Sequence, residues 1–199
     1  MFVLRLLLAL IAAVLSACSS APRAPVQETT LSNGLKIVVR EDHRAPVVVS
    51  QIWYKVGASD EPENLTGISH VLEHLMFKGT KNHKSGEFSR IIAENGGREN
   101  AFTGSDYTAY FQQLEKSRLP IAFELEADRM QNLILDEKEF AQEVRVVQEE
   151  RRLRTDDQPE ALAYERFMAT AFVKHNYKNP IIGWMSDLEN LKLEDVRAW

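Results

Sequence analysis

Gly67 to Thr80, reading GISHVLEHLMFKGT, constrains this chain more than any other stretch. It holds His70-Val71-Leu72-Glu73-His74, an H-x-x-E-H pattern in a segment whose apolar spacing predicts a helix. On a helix, residues at i and i+4 are neighbours with Cβ atoms roughly 5–6 Å apart, so His70 and His74 can offer two ring nitrogens to one metal ion. Glu73 shares that face and can reach a water beside the metal. Ile68, Val71, Leu72 and Leu75 fall on the opposite side, leaving one face to pack and the other for chemistry. Two imidazoles with an adjacent carboxylate suit zinc-assisted hydrolysis. Core or surface histidines flanking an exposed acid would look the same, so the rest of the chain must decide.

A second predicted helix, from Glu137 to about Arg154, supplies the test. It opens with the capping box Asp136-x-x-Glu139. At about 100° per residue, Phe140, Val144, Val146, Val147 and Leu153 define one apolar arc. Glu143 and Glu150 fall near the middle of that arc, whereas Glu149 lies on the polar side next to Arg145 and Arg152. Carboxylates on a buried face are costly unless paired, protonated or metal-bound. Ion pairs with arginines such as Arg129 or Arg98, or a wet helix flank, would be ordinary explanations. A chain already offering two histidines and wanting an oxygen ligand tips the balance to metal. Glu150 is the better ligand candidate, and Glu143 would hold a ligand or a proton. The single cysteine, Cys18, excludes a thiolate zinc cluster and an internal disulfide.

Cys18 has another reading. Met1 to Ala17 carries one charge, Arg5, and an apolar run from Leu6 to Leu15. It is shorter than the roughly 20 residues a membrane span needs, and suits the apolar region of a secretory signal. Leu15-Ser16-Ala17-Cys18 resembles a bacterial lipobox, which makes Cys18 the expected lipidation site; a plain signal peptide with a chance cysteine, or a buried apolar helix, is the alternative. Ser19 after it suits the outer membrane by the same resemblance. Residues 18–27, rich in Ala, Pro and Ser, are expected to tether a periplasm-facing domain of residues 28–199 to the bacterial envelope.

The folded part is expected to begin with a hairpin, Thr29 to Leu31 and Leu35 to Arg40, around Asn33-Gly34. A β-branched and aromatic strand follows from Val47 to Val56. Asn64 or Thr66 can cap the H-x-x-E-H helix, Ser85 a helix from Gly86 to Glu94, and Ser117 one from Leu119 to Ile134. Arg98 to Leu114 reads as two short strands around Thr103 to Asp106. Further helices are predicted over Pro159 to Val173 and from Leu193, after a loop marked by Asn179-Pro180 and Gly183. Strands then helices, without regular alternation, predict an α+β fold, a mostly antiparallel sheet packed by helices. Basic residues are interspersed with acids and the net charge is −5, which argues against a nucleic-acid partner.

The order H-x-x-E-H followed by a helix with a glutamate ligand is the inverzincin arrangement. With Ser32-Asn33-Gly34, Gly57, Gly67 to Thr80, Asn100 to Thr103, Tyr107 to Tyr110 and Glu143 to Glu150, the chain resembles peptidase family M16 from about Leu31 to Trp199. The family includes pitrilysin, insulin-degrading enzyme and the mitochondrial processing peptidase β subunit. The resemblance implies a zinc metalloendopeptidase with ligands His70, His74 and Glu150, general base Glu73, and Glu143 behind the ligands. Asn100, Ala101, Phe102 and Thr103 would form the strand on which a peptide or unfolded polypeptide substrate aligns; an ordinary edge strand is the alternative.

Family members are considerably longer, and a second, related domain closes over their substrate. The chain is therefore expected to be an N-terminal portion wanting a second M16-like domain or subunit. A catalytically incomplete subunit and an envelope-anchored binding module with structural zinc are the alternatives; intact Glu73 argues against the first, and the three nameable ligands against the second. His83 and His175 have no motif context and read as surface or loop residues.

Overall fold

The computed structural model describes residues 25–199. The expected leader, the Cys18 lipidation site and the tether up to residue 24 lie outside the described residues. No helix among the described residues is long and apolar enough to cross a membrane. The chain divides into two compact units, one up to Pro46 and the other from Val47 to Trp199.

The first unit is the expected antiparallel hairpin of β1 (Val26–Thr30) and β2 (Lys36–Arg40). Gly34, at φ 88°, takes the left-handed turn position, and Asn33 Oδ1 accepts from the Leu35 N–H. The strand starts earlier than its composition suggests. Val26 and Gln27, expected in the tether, pair with Arg40 and Val39 at the far end of β2.

The second unit holds a three-stranded antiparallel sheet of β3 (Val47–Tyr54), β4 (Arg98–Thr103) and β5 (Thr108–Glu115) in the order β3-β5-β4. β4 therefore has β5 on one side only. Seven helices accompany it: α1 (Ile68–Leu75), α2 (Glu87–Glu94), α3 (Leu119–Asn132), α4 (Glu137–Arg151), α5 (Pro159–Ala171), α6 (Met185–Asn190) and α7 (Leu193–Ala198). The α+β class is as predicted. Ile68, Val71 and Leu75 of α1 pack with Phe140, Val144 and Val147 of α4, and α6 and α7 close that core with Leu188, Leu193 and Val196. A second core joins Phe88 and Ile92 of α2 to Leu114 of β5 and to Ala122 and Leu125 of α3.

Three local readings change. The apolar arc of α4 is narrower than the wheel predicts: Val146 is 43% and Leu153 65% exposed. After Arg151 the chain winds into a π turn, Arg152–Asp156, which carries Leu153 out of the 100° series. The short helix α6 forms just beyond the stretch read as loop. Glu143 and Glu150 do not pair with Arg129 or Arg98; Arg129 instead pairs with Glu126 and is stacked among Phe77, Phe88 and Tyr110.

The suggested caps of α1, α2 and α3 also have other occupations. The N-cap positions are Gly67, Gly86 and Arg118, with no side-chain cap bond. Ser117 is bound to the Glu115 carboxylate. Thr66 donates its hydroxyl to Asp187 Oδ2 (2.6 Å) and accepts from the Trp184 N–H (2.9 Å). The free amides of α1 go to Glu61, whose two oxygens accept from Gly67 N–H (2.8 Å) and Ser69 N–H (2.9 Å).

Candidate metal centre

Packing of α1 on α4 brings the two predicted halves of the site together. The apolar faces of the helices meet, and one flank of each carries polar groups into a shared cleft. His70 Nε2 lies 3.9 Å and His74 Nε2 3.5 Å from Glu150 Oε2. The donor atoms of the three residues all lie within 4.8 Å of one another. The imidazole centroids are 4.8 Å apart and the rings nearly perpendicular, so they do not stack.

This set fits a zinc ion. Zinc–ligand bonds of about 2.0–2.2 Å in a tetrahedron place donors roughly 3.3–3.5 Å apart, close to the two distances to Glu150. Burial, helped by His74 and Arg154, pushes the His70 pKa down to about 3, so its imidazole is neutral and keeps a lone pair for a metal. His74 Nδ1 faces Glu143 Oε2 at 3.2 Å, the arrangement that fixes a ligating histidine through its second nitrogen. His70 Nδ1 is buried and has no such partner among the described residues. Glu150 uses its other oxygen: Arg154 Nη1 lies 2.6 Å from Oε1, leaving Oε2 to the histidines.

Glu73, a buried residue, opens onto the same cleft. Burial raises its pKa, and a hydrogen bond from Thr103 Oγ1 to Oε2 (2.5 Å) pulls part of the way back. Thr103 ends β4, so the strand proposed for substrate is bonded to the acid proposed as base. Asn100, Ala101, Phe102 and Thr103 all line the cleft, whose volume is about 720 Å³. Every predicted site residue of the folded part is therefore placed at the cleft or, for Glu143, directly behind it.

Several contributors escaped the sequence reading. Tyr164 and Met168 of α5, with Tyr177 to Ile182, form the far wall of the cleft. Arg151, buried beneath it, binds Glu165 of α5 through both terminal nitrogens and the Gly183 carbonyl. Lys78 Nζ lies 2.8 Å from Glu143 Oε1. Arg154, which pairs with Glu150, also escaped, although its place four residues after Glu150 was a usable signal.

The family model for Insulinase (Peptidase family M16) matches residues 36–184. The chain belongs to peptidase family M16. It is 43% identical over 174 residues to the zinc protease PqqE of Helicobacter pylori, covering 87% of this chain and 39% of that protein. It is 31% identical to an uncharacterized zinc protease of Streptomyces coelicolor, covering 87% of this chain and 38% of that one. Among solved structures it matches a protease from Helicobacter pylori with a TM-score of 0.86 at 42% identity, over 89% of this chain and 43% of the other. The periplasmic protease PqqL from Escherichia coli has a TM-score of 0.79 at 20% identity, over 90% and 21% of the two chains, and shares the fold. This M16 chain spans about two fifths of the length of the curated relatives it matches.

Proposed function

We propose that this M16 chain is the zinc-binding, proton-transferring part of a metalloendopeptidase of the inverzincin type. The observation that carries the reading is the convergence of His70, His74 and Glu150 with the buried carboxylate of Glu73 in one cleft. The zinc-protease names of its relatives support it.

His70 Nε2, His74 Nε2 and Glu150 Oε2 would hold the zinc. Bound there, zinc supplies Lewis acidity, which polarises a peptide carbonyl and lowers the pKa of water toward about 7. Glu73 takes the proton of the attacking water and passes it to the leaving amine. Thr103 engages Oε2 of Glu73, so Oε1 is the oxygen free to move that proton. The unpaired side of β4 can accept an extended peptide by main-chain hydrogen bonds, which selects conformation more than sequence and suits unfolded segments.

The partners in this reading are a peptide or unfolded polypeptide and a second M16-like domain or subunit that completes the chamber. The apolar leader and Cys18 support an envelope location, lipid-anchored and periplasm-facing, with the outer membrane preferred.

Glu73→Gln tests the reading. The variant should bind one zinc per chain as the parent does and lose peptide hydrolysis, assayed with any partner domain the parent needs. Persistent hydrolysis removes Glu73 from the role of base. A parent that binds zinc but cleaves no peptide with such a partner supports the incomplete-subunit reading instead.

A further inference from the structure

We infer that Lys78 is a positioning residue for the metal centre, acting on His74 through Glu143. The inference rests on the zinc reading above and deepens it.

Three side chains form a line from the rim to the centre. Lys78 Nζ lies 2.8 Å from Glu143 Oε1, Glu143 Oε2 lies 3.2 Å from His74 Nδ1, and His74 Nε2 faces Glu150 at 3.5 Å. The Glu143 side chain is 5% exposed and that of Lys78 24%. Each carboxylate oxygen of Glu143 thus has one charged or ionisable neighbour.

The geometry gives Lys78 a task that Glu143 cannot perform alone. The terminal torsion of a glutamate is broad and roughly two-fold, so a carboxylate held through one oxygen can swing. An ammonium on the second oxygen pins the carboxylate plane and compensates its charge away from water, where an unpaired charge is costly. With the plane pinned, Oε2 stays aimed at Nδ1, and the imidazole presents Nε2 to Glu150. Lys78 has the position to do this because it follows His74 by four residues, just beyond the end of α1. It does not line the cleft, so its effect falls on metal affinity rather than on substrate contact.

The test measures zinc affinity of the full chain by competition with a chromophoric chelator. The set is the parent, Lys78→Met, Lys78→Arg, Glu143→Gln and the Lys78→Met/Glu143→Gln double variant. Lys78→Met should weaken zinc binding several-fold and by no more than Glu143→Gln, since losing the group directly behind a ligand usually costs about 10–100-fold. Lys78→Arg should restore most of the affinity. The double variant should bind no more weakly than Glu143→Gln alone, since both changes break one line. The visible absorption of the cobalt-substituted site should shift in Lys78→Met, and apo-protein melting should not move enough to explain the loss. Should Lys78→Met fold poorly, Lys78→Gln carries the same comparison. Parental affinity in both neutral variants, or additive losses in the double variant, overturns the role of Lys78 and leaves the metal centre standing. A parent that binds no zinc overturns the metal reading, and this inference with it.

Discussion

Thr103 Oγ1 donates a 2.5 Å hydrogen bond to Glu73 Oε2, joining the edge strand β4 to the helix that bears H-x-x-E-H. The two residues come from different layers of the fold. The contact ties the orientation of the acid proposed as base to the strand proposed to align substrate. Burial favours the neutral acid and the hydroxyl favours the carboxylate, which leaves the Glu73 pKa raised, the direction that the proposed role calls for.

Replacing Thr103 with Val keeps the shape and removes the donor. A hydrogen bond to a charged group is worth about 1.5–3 kcal/mol, so kcat/KM for peptide hydrolysis should fall about 10–100-fold. Zinc content, read by metal analysis, should stay at the parental level. Thr103→Ser should keep most of the activity, and full activity in Thr103→Val would show that the bond does not orient the base.

Glu150→Gln should cost metal rather than proton transfer. The amide is neutral and a poor zinc ligand, and it also loses the ion pair with Arg154. After dialysis against buffer without added metal, the variant should retain well under one zinc per chain while the parent remains loaded. Normal stoichiometry would take Glu150 out of the ligand set.

The candidate ligand set was legible because helical spacing alone puts His70, Glu73 and His74 on one face and Glu143 and Glu150 on another. Both helices have the period that the reading assumes up to Arg151. Beyond it the π turn breaks that period, and Leu153 accordingly ends up in solvent. The caps failed for a different reason. Thr66 stands next to the start of α1 in sequence, yet its hydroxyl is engaged by Asp187 and Trp184, which only the folded chain brings near. Glu61 takes the amides because the turn before α1 folds back over them. The far wall of the cleft depends on tertiary packing of α5 and the 177–182 segment, which no local pattern encodes.

Glu61 also predicts a pH dependence. Burial raises its pKa from the ordinary 4.5 to about 7, against the pull of two backbone N–H groups. Below about 4.5 the group is protonated in folded and unfolded chains alike, and its contribution is fully present. Between about 4.5 and about 7 the unfolded chain ionises first, so stability falls as pH rises, by about 1.4 kcal/mol for each pKa unit of difference. Glu61→Gln removes that slope. Urea unfolding at pH 5 and pH 8 should show the variant gaining on the parent at the higher pH, and parallel behaviour at both values would refute the assignment.

Arg151 should be the costliest single charge to remove from the wall of the site. Its side chain is 5% exposed and binds Glu165 at 2.8 and 2.9 Å, the Gly183 carbonyl at 2.9 Å, and sits over the Trp184 ring at 5.8 Å. These bonds join α4, just after Glu150, to α5 and to the loop that meets the start of α1. At that loop a Cβ on Gly183 would come within 2.4 Å of the Thr66 carbonyl oxygen, so the segments cannot slide to compensate. Arg151→Met leaves the Glu165 carboxylate buried without its partner, and breaking such a pair costs about 3–5 kcal/mol. Urea unfolding should show that loss, and Arg151→Met/Glu165→Met should recover part of it because no charge is then stranded. Recovery in the double variant separates a stranded charge from simple loss of packing, for which the two changes would add.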